Sequence, residues 1–128
     1  MKNVLVDSSV WIEYFRGNPA VAIVDDLIDQ NQICINDLIL AELVPFLRMK
    51  KEHELIGLLR SIRTIEVVIG WEEIIKFQEM NLRNGLNKVG IPDLIVVQNV
   101  RDNGLELYSL DKHFSLMSAH IDFRKYQY

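Results

Sequence analysis

Val4-Leu5-Val6-Asp7-Ser8-Ser9-Val10-Trp11-Ile12-Glu13-Tyr14-Phe15-Arg16-Gly17 is the stretch that decides the fold. An apolar run meets an acid at once, which reads as a first strand rather than a signal peptide. Asn3–Val6 is the expected buried strand, and Ser9–Arg16 the expected helix, ended by Gly17-Asn18-Pro19. Strand and helix therefore meet at Asp7. The same alternation continues along the chain. A second helix is expected over Ala20–Asp29, with Val21, Val24, Leu27 and Ile28 as its apolar stripe, then a short strand over Gln32–Ile35. Asn36 or Asp37 caps a helix to about Met49, which Pro45 is expected to kink.

Further helices are expected over Glu52–Ile62, Trp71–Leu86 and from Pro92 to about Asn103, the last closed by Gly104. Thr64–Ile69 and Leu105–Ser109 read as strands, while Phe114–Met117 and Ile121–Phe123 are ambiguous. No repeat or linker interrupts the series. The pattern predicts an α/β fold around a mainly parallel sheet, in one domain spanning residues 1–128.

Four carboxylates interrupt or directly end apolar stretches. They are Asp7, Glu42 in Leu38-Ile39-Leu40-Ala41-Glu42-Leu43-Val44, Asp93 in Ile91-Pro92-Asp93-Leu94-Ile95-Val96-Val97, and Asp111 after Leu107-Tyr108-Ser109-Leu110. Burying an ionised carboxylate is costly unless it is paired, protonated or bound to a metal. No Lys or Arg adjoins the first three in sequence. Each acid alone has a plain structural reading. Asp7 suits a helix N-cap, Asp93 a first-turn acid against the helix dipole, Asp111 a turn, and Glu42 a partly exposed site on an apolar helix. Jointly they point elsewhere. Asp7 and Asp111 follow strand ends and Asp93 begins a helix. In parallel sheets those positions share the edge that carries active sites. Glu42 joins them if its helix turns the right face, and its apolar neighbours predict burial or a cleft edge.

Such a set suits one or two shared hard cations. Two ions held about 3.5–4 Å apart activate a water and stabilise a leaving oxygen in phosphodiester hydrolysis. Asp7 and Asp93 are the expected direct ligands, and Glu42 and Asp111 complete the site directly or through water. Ser8, Ser9 and Ser109 could orient a water there, although turns and caps also use serine. His113 reads first as an exposed loop residue.

The single Cys34 excludes an internal disulfide and a thiolate zinc cage, and His53, His113 and His120 lack metal-ligand spacing. Mg²⁺ or Mn²⁺ is favoured over zinc. The net charge of −4 argues against a broadly basic nucleic-acid binder. Yet if the four acids are neutralised by cations, 14 acidic residues stand against 14 basic ones, so a nucleic-acid substrate is not excluded. No apolar run approaches the roughly 20 residues of a membrane span. A cytoplasmic location is the default expectation.

The motifs resemble those of the PIN-domain ribonucleases, and within them the VapC toxins of toxin–antitoxin pairs. Val4 to Gly17 looks like that family's N-terminal signature, Ile39-Leu40-Ala41-Glu42-Leu43 its second acidic motif, Ile91-Pro92-Asp93-Leu94-Ile95-Val96 its third and Ser109-Leu110-Asp111-Lys112-His113-Phe114 its fourth. Ser109 stands where Thr is common, and His113 where a second acid often sits. The resemblance implies a three-layer α/β/α fold and Mg²⁺- or Mn²⁺-dependent cleavage of RNA at Asp7, Glu42, Asp93 and Asp111. It also implies a homodimer or larger toxin–antitoxin assembly, with an antitoxin that blocks the acidic pocket. A PIN nuclease in RNA processing without an antitoxin fits the same residues. A non-catalytic PIN-like module is disfavoured by the presence of all four acids. A phosphoacceptor receiver domain is disfavoured because Glu66-Val67-Val68-Ile69-Gly70 ends without an Asp.

Overall fold

A computed structural model describes residues 3–127; Met1, Lys2 and Tyr128, which the single-domain reading includes, lie outside the described residues. Five parallel strands form one sheet: β1 (Val4–Val6), β2 (Ile33–Ile35), β3 (Arg63–Thr64), β4 (Glu106–Tyr108) and β5 (Arg124–Lys125). Their spatial order is β3-β2-β1-β4-β5. Seven helices complete an α/β/α architecture: α1 (Ser8–Phe15), α2 (Ile23–Asp29), α3 (Asp37–Met49), α4 (His53–Ser61), α5 (Trp71–Arg83), α6 (Ile91–Asp102) and α7 (Lys112–Met117).

The strand order reverses between β1 and β4. That is the topological switch point, where loops leaving adjacent strands part and open a crevice at the strand C-termini. Asp7 follows β1, and Ser109 and Asp111 follow β4. All residues of β1 and β2 are buried, as expected of central parallel strands covered on both faces. Helix α6 is also enclosed, with every residue from Leu94 to Val100 buried.

Several expected elements change. The strand expected over Thr64–Ile69 pairs only at Arg63–Thr64, opposite Cys34 and Ile35, and its last sheet bond runs from the Ile65 amide to the Ile35 carbonyl. Beyond it, side chains of α6 take the backbone groups. Gln98 accepts from the Gly70 amide at 3.1 Å and donates to the Gly70 carbonyl at 3.0 Å. Asn99 donates to the Glu66 carbonyl at 2.9 Å. At Glu66 and Gly70 these side-chain bonds stand where strand pairing would otherwise be needed.

The helix expected over Ala20–Asp29 divides into a 3₁₀ turn (Pro19–Val21) and α2. Asn18 caps that turn by accepting from the Ala20 amide, and Pro19 pre-sets its first φ. Asn36, not Asp37, caps α3, accepting from the Ile39 amide at 2.9 Å. Helix α3 continues through Pro45 to Met49. The ambiguous C-terminal segments become α7 and, just after Ile121–Phe123, the edge strand β5. No helix among the described residues is long and apolar enough to cross a membrane.

Candidate active site

Asp7 is the centre of the site and 6% exposed. It occupies the N-cap position of α1 with extended backbone (φ −71, ψ 159), but its side chain makes no capping bond. The carboxylate instead accepts two hydroxyls on Oδ2, from Ser9 at 2.9 Å and Ser109 at 2.8 Å. Backbone amides fix the direction of both hydroxyls. The Leu110 N–H donates to Ser9 Oγ and the Asp111 N–H to Ser109 Oγ, each at 3.0 Å. With an amide on each oxygen, the single hydroxyl proton of each serine is aimed at Asp7. The two serines, 3.3 Å apart, thus tie the β1–α1 turn to the β4–α7 turn. The main chain reinforces this tie through the Asp7 N–H to the Tyr108 carbonyl. Ser8 is half-buried and joins none of these bonds.

Asp93 lies in the first turn of α6, two residues after Ile91, and is half-buried. Burial, then the negative charges of Asp111 and Asp7, push its carboxyl up to about 6, and His113 partly opposes this. Asp111 caps α7 by accepting from the His113 amide at 2.9 Å, so the expected turn role is realised by one of its oxygens. The His113 ring also lies close, with Nδ1 3.4 Å from Asp111 Oδ1. Ligand atoms of Asp93, Asp111 and His113 all lie within 4.8 Å of one another. His113 is therefore part of the cluster rather than an exposed loop residue. Its position two residues after a capping acid is the signal that points to it.

Glu42 is exposed, which leaves the cleft edge of the two expected placements. The buried face of α3 is Ile39, Leu43, Val44 and Leu47, and Glu42 is one residue, about 100° of helix rotation, off Leu43. It stands on the rim of the crevice. Its carboxyl is nonetheless raised, first by partial desolvation and then by the charges of Asp7 and Asp93. The fold thus brings Asp7, Glu42, Asp93 and Asp111 into one electrostatic neighbourhood.

A polar clasp holds the two helices that carry Glu42 and Asp93. Asn36 at the start of α3 is fully buried and donates to Asn99 of α6 at 2.9 Å. Asn99 passes the network on to Glu66. Sequence offers Asn36 only as a helix cap and gives Asn99 no role, because their contact spans 63 positions of chain.

The donor set fits a hard divalent cation. It is rich in carboxylate oxygen and contains no thiolate, and the neighbouring acids add to burial in raising the pKa of Glu42 and Asp93, a repulsion that a bound cation would relieve. Among the described residues no Lys or Arg forms an ion pair with Asp7, Glu42, Asp93 or Asp111.

The family model for the PIN domain matches residues 4–119. The chain belongs to the PIN domain family. This PIN domain has no significant match among curated protein sequences. Among solved structures it superposes on the DNA-bound VapBC of Salmonella typhimurium with a TM-score of 0.75 and 14% identity, covering 99% of this chain and 98% of that one. It also superposes on VapC20 of Mycobacterium tuberculosis, described as a sarcin–ricin loop cleaving toxin, with a TM-score of 0.65 and 18% identity over 98% of this chain and 100% of that one. A toxin–antitoxin complex from Klebsiella pneumoniae gives 0.62 and 18%, over 86% and 88%. At these identities the likeness concerns the fold.

Proposed function

We propose that this PIN domain is a Mg²⁺- or Mn²⁺-dependent endoribonuclease that acts in the cytoplasm as the toxin of a toxin–antitoxin pair. The observation that carries the reading is Asp7, a buried carboxylate held by Ser9 and Ser109 beside three further acids that, among the described residues, form no ion pair with Lys or Arg. The structural neighbours named as VapBC and as a toxin–antitoxin complex, and the one named a sarcin–ricin loop cleaving toxin, support an antitoxin as partner and RNA as substrate.

Asp7, Glu42, Asp93 and Asp111 would hold the cation. When bound, it supplies Lewis acidity for water activation and for the leaving oxygen. Ser9 and Ser109 both donate to Oδ2 of Asp7, so Oδ1 would be the oxygen offered to the cation. Asp111 uses one oxygen to start α7 and keeps the second for the site. Ser8 has no assigned partner and is a supporting polar residue only. The His113 ring lies beside Asp111, and its charge offsets part of the acids' effect on Asp93. Large apolar side chains left open to solvent, Phe46 and Trp71 at 59% each and Leu82 at 58%, support protein partners, a second copy and an antitoxin.

The test is cleavage of structured RNAs by purified protein with Mg²⁺, Mn²⁺ or chelator, beside Asp7→Asn. Metal-dependent cleavage lost in the variant is expected. Cleavage that survives chelation, or that the variant retains, would sink the mechanism. Co-purification of a small protein encoded next to the gene would support the toxin role over free-standing RNA processing.

A further inference from the structure

A cavity adjoining the acid cluster has no part in the reaction above. Its volume is about 400 Å³, and Ser109, Asp111, Phe114, Ser115, Lys125 and Tyr126 line it. Ser109 and Asp111 also belong to the acid site, so the two spaces share a wall. The sheet explains why. Lys125 ends β5 opposite Leu107 of β4, and register partners in a parallel ladder face the same way. Ser109, two residues after Leu107, continues that face. Helix α7 covers it with Phe114 and Ser115.

Beyond the shared Ser109 and Asp111, the lining adds groups that the acid site lacks. Lys125 is half-buried, and among the described residues no carboxylate pairs with it. A partly desolvated ammonium that shares the cavity with Asp111 but forms no ion pair with it keeps its donors for an anionic ligand. Tyr126 offers a ring, packed on Tyr108 with centroids 5.4 Å apart. Hydroxyls of Ser109 and Ser115 add polar edges. Cation, aromatic ring and hydroxyls in one concavity suit a nucleotide, and a space of this order takes one small ligand rather than a stretch of helix.

We propose that this cavity is a subsite for one unpaired nucleotide flanking the scissile bond. Lys125 takes its phosphate and Tyr126 its base. The assignment rests on the ribonuclease reading and deepens it: the enzyme prefers a splayed, single-stranded nucleotide at that position, since bases within an A-form helix cannot enter a side cavity. Lys125 is a binding residue, outside the acid cluster.

Binding is measured by fluorescence anisotropy with a labelled single-stranded RNA of about ten nucleotides. The Asp93→Asn background with Mg²⁺ keeps the RNA intact. Adding Lys125→Met is expected to weaken binding about tenfold and to reduce the slope of log affinity against log salt by about 0.7, the loss of one phosphate contact on a single strand. Lys125→Arg restores both. Tyr126→Leu is expected to weaken binding about fivefold or more with the salt slope unchanged, because stacking releases no counterions. In the otherwise native enzyme, Lys125→Met raises KM with little change in kcat. If the native enzyme cleaves RNA and Asp7→Asn does not, while Lys125→Met leaves affinity and salt slope unchanged, the subsite is overturned and the nuclease reading stands. If the native enzyme neither binds nor cleaves RNA, the nuclease reading fails and the subsite with it.

Discussion

Replacing Asp93 by Asn should stabilise the metal-free protein at neutral pH and leave it unchanged in acid. Burial, with Asp111 and Asp7 nearby, raises the Asp93 carboxyl from 3.8 to about 6. A folded state that holds this proton more tightly than the unfolded chain gains stability below about 3.8 and loses it as pH rises through about 6. At pH 7 the ionised carboxylate therefore opposes folding. Taken in full, the shift corresponds to about 3 kcal/mol. Solvent screening of a partly exposed group reduces this to about 1 kcal/mol. For a domain of this size that is about 3 °C in Tm. Thermal unfolding of both proteins with chelator, from pH 4 to pH 8, should give curves that coincide at the acid end and diverge between pH 4 and 6. Saturating Mg²⁺ should reverse the order, because the native protein then gains binding free energy that the variant lacks. A variant less stable than the native protein at pH 7 without metal, or a difference that does not vary with pH, would refute the electrostatic account.

Ser109→Ala should lower cleavage about 10- to 100-fold, as loss of an orienting partner of a ligand does, whereas Ser109→Thr keeps the hydroxyl and most of the rate; equal rates for both would mean that Asp7 needs no orientation. Mg²⁺ should raise the Tm of the native protein but not that of Asp7→Asn, read by calorimetry, and an equal rise in both would place the cation elsewhere. Asn36→Ala removes the α3 cap and strands the Asn99 carbonyl, at a cost of about 2–3 kcal/mol in urea unfolding; a loss below about 0.5 kcal/mol would show the clasp to be dispensable. Gln98→Leu should speed hydrogen exchange at the Gly70 amide while the Ile65 amide, bonded to β2, stays protected.

Much of the fold was legible because its signals are local. Val4-Leu5-Val6 meets Asp7, Gly104 follows α6, and Asn36 precedes an apolar helical pattern; each is a boundary written in a few residues. The expected strand over Thr64–Ile69 fell short for a reason no local pattern contains. Its composition suits a strand, but Gln98 and Asn99, some thirty residues later, claim the backbone groups at Glu66 and Gly70. Glu42 illustrates the same limit. Apolar neighbours allowed burial or a cleft edge, and only its place one residue round the helix from Leu43 leaves it exposed on the rim.

What the sequence determined by itself is which residues are anomalous. An acid at the end of an apolar run carries a desolvation cost wherever the run packs, so Asp7, Glu42, Asp93 and Asp111 stood out before any coordinate was known. Only the tertiary structure decided how they act on one another. Ser109 reaches Asp7 across 102 positions of chain, His113 turns into the cluster, and Lys125 arrives beside it on an edge strand just beyond the segment Ile121–Phe123 that sequence left ambiguous. Distances of that kind depend on strand order. Order follows from how the helices pack over the sheet, a sum of many weak contacts that no short segment records.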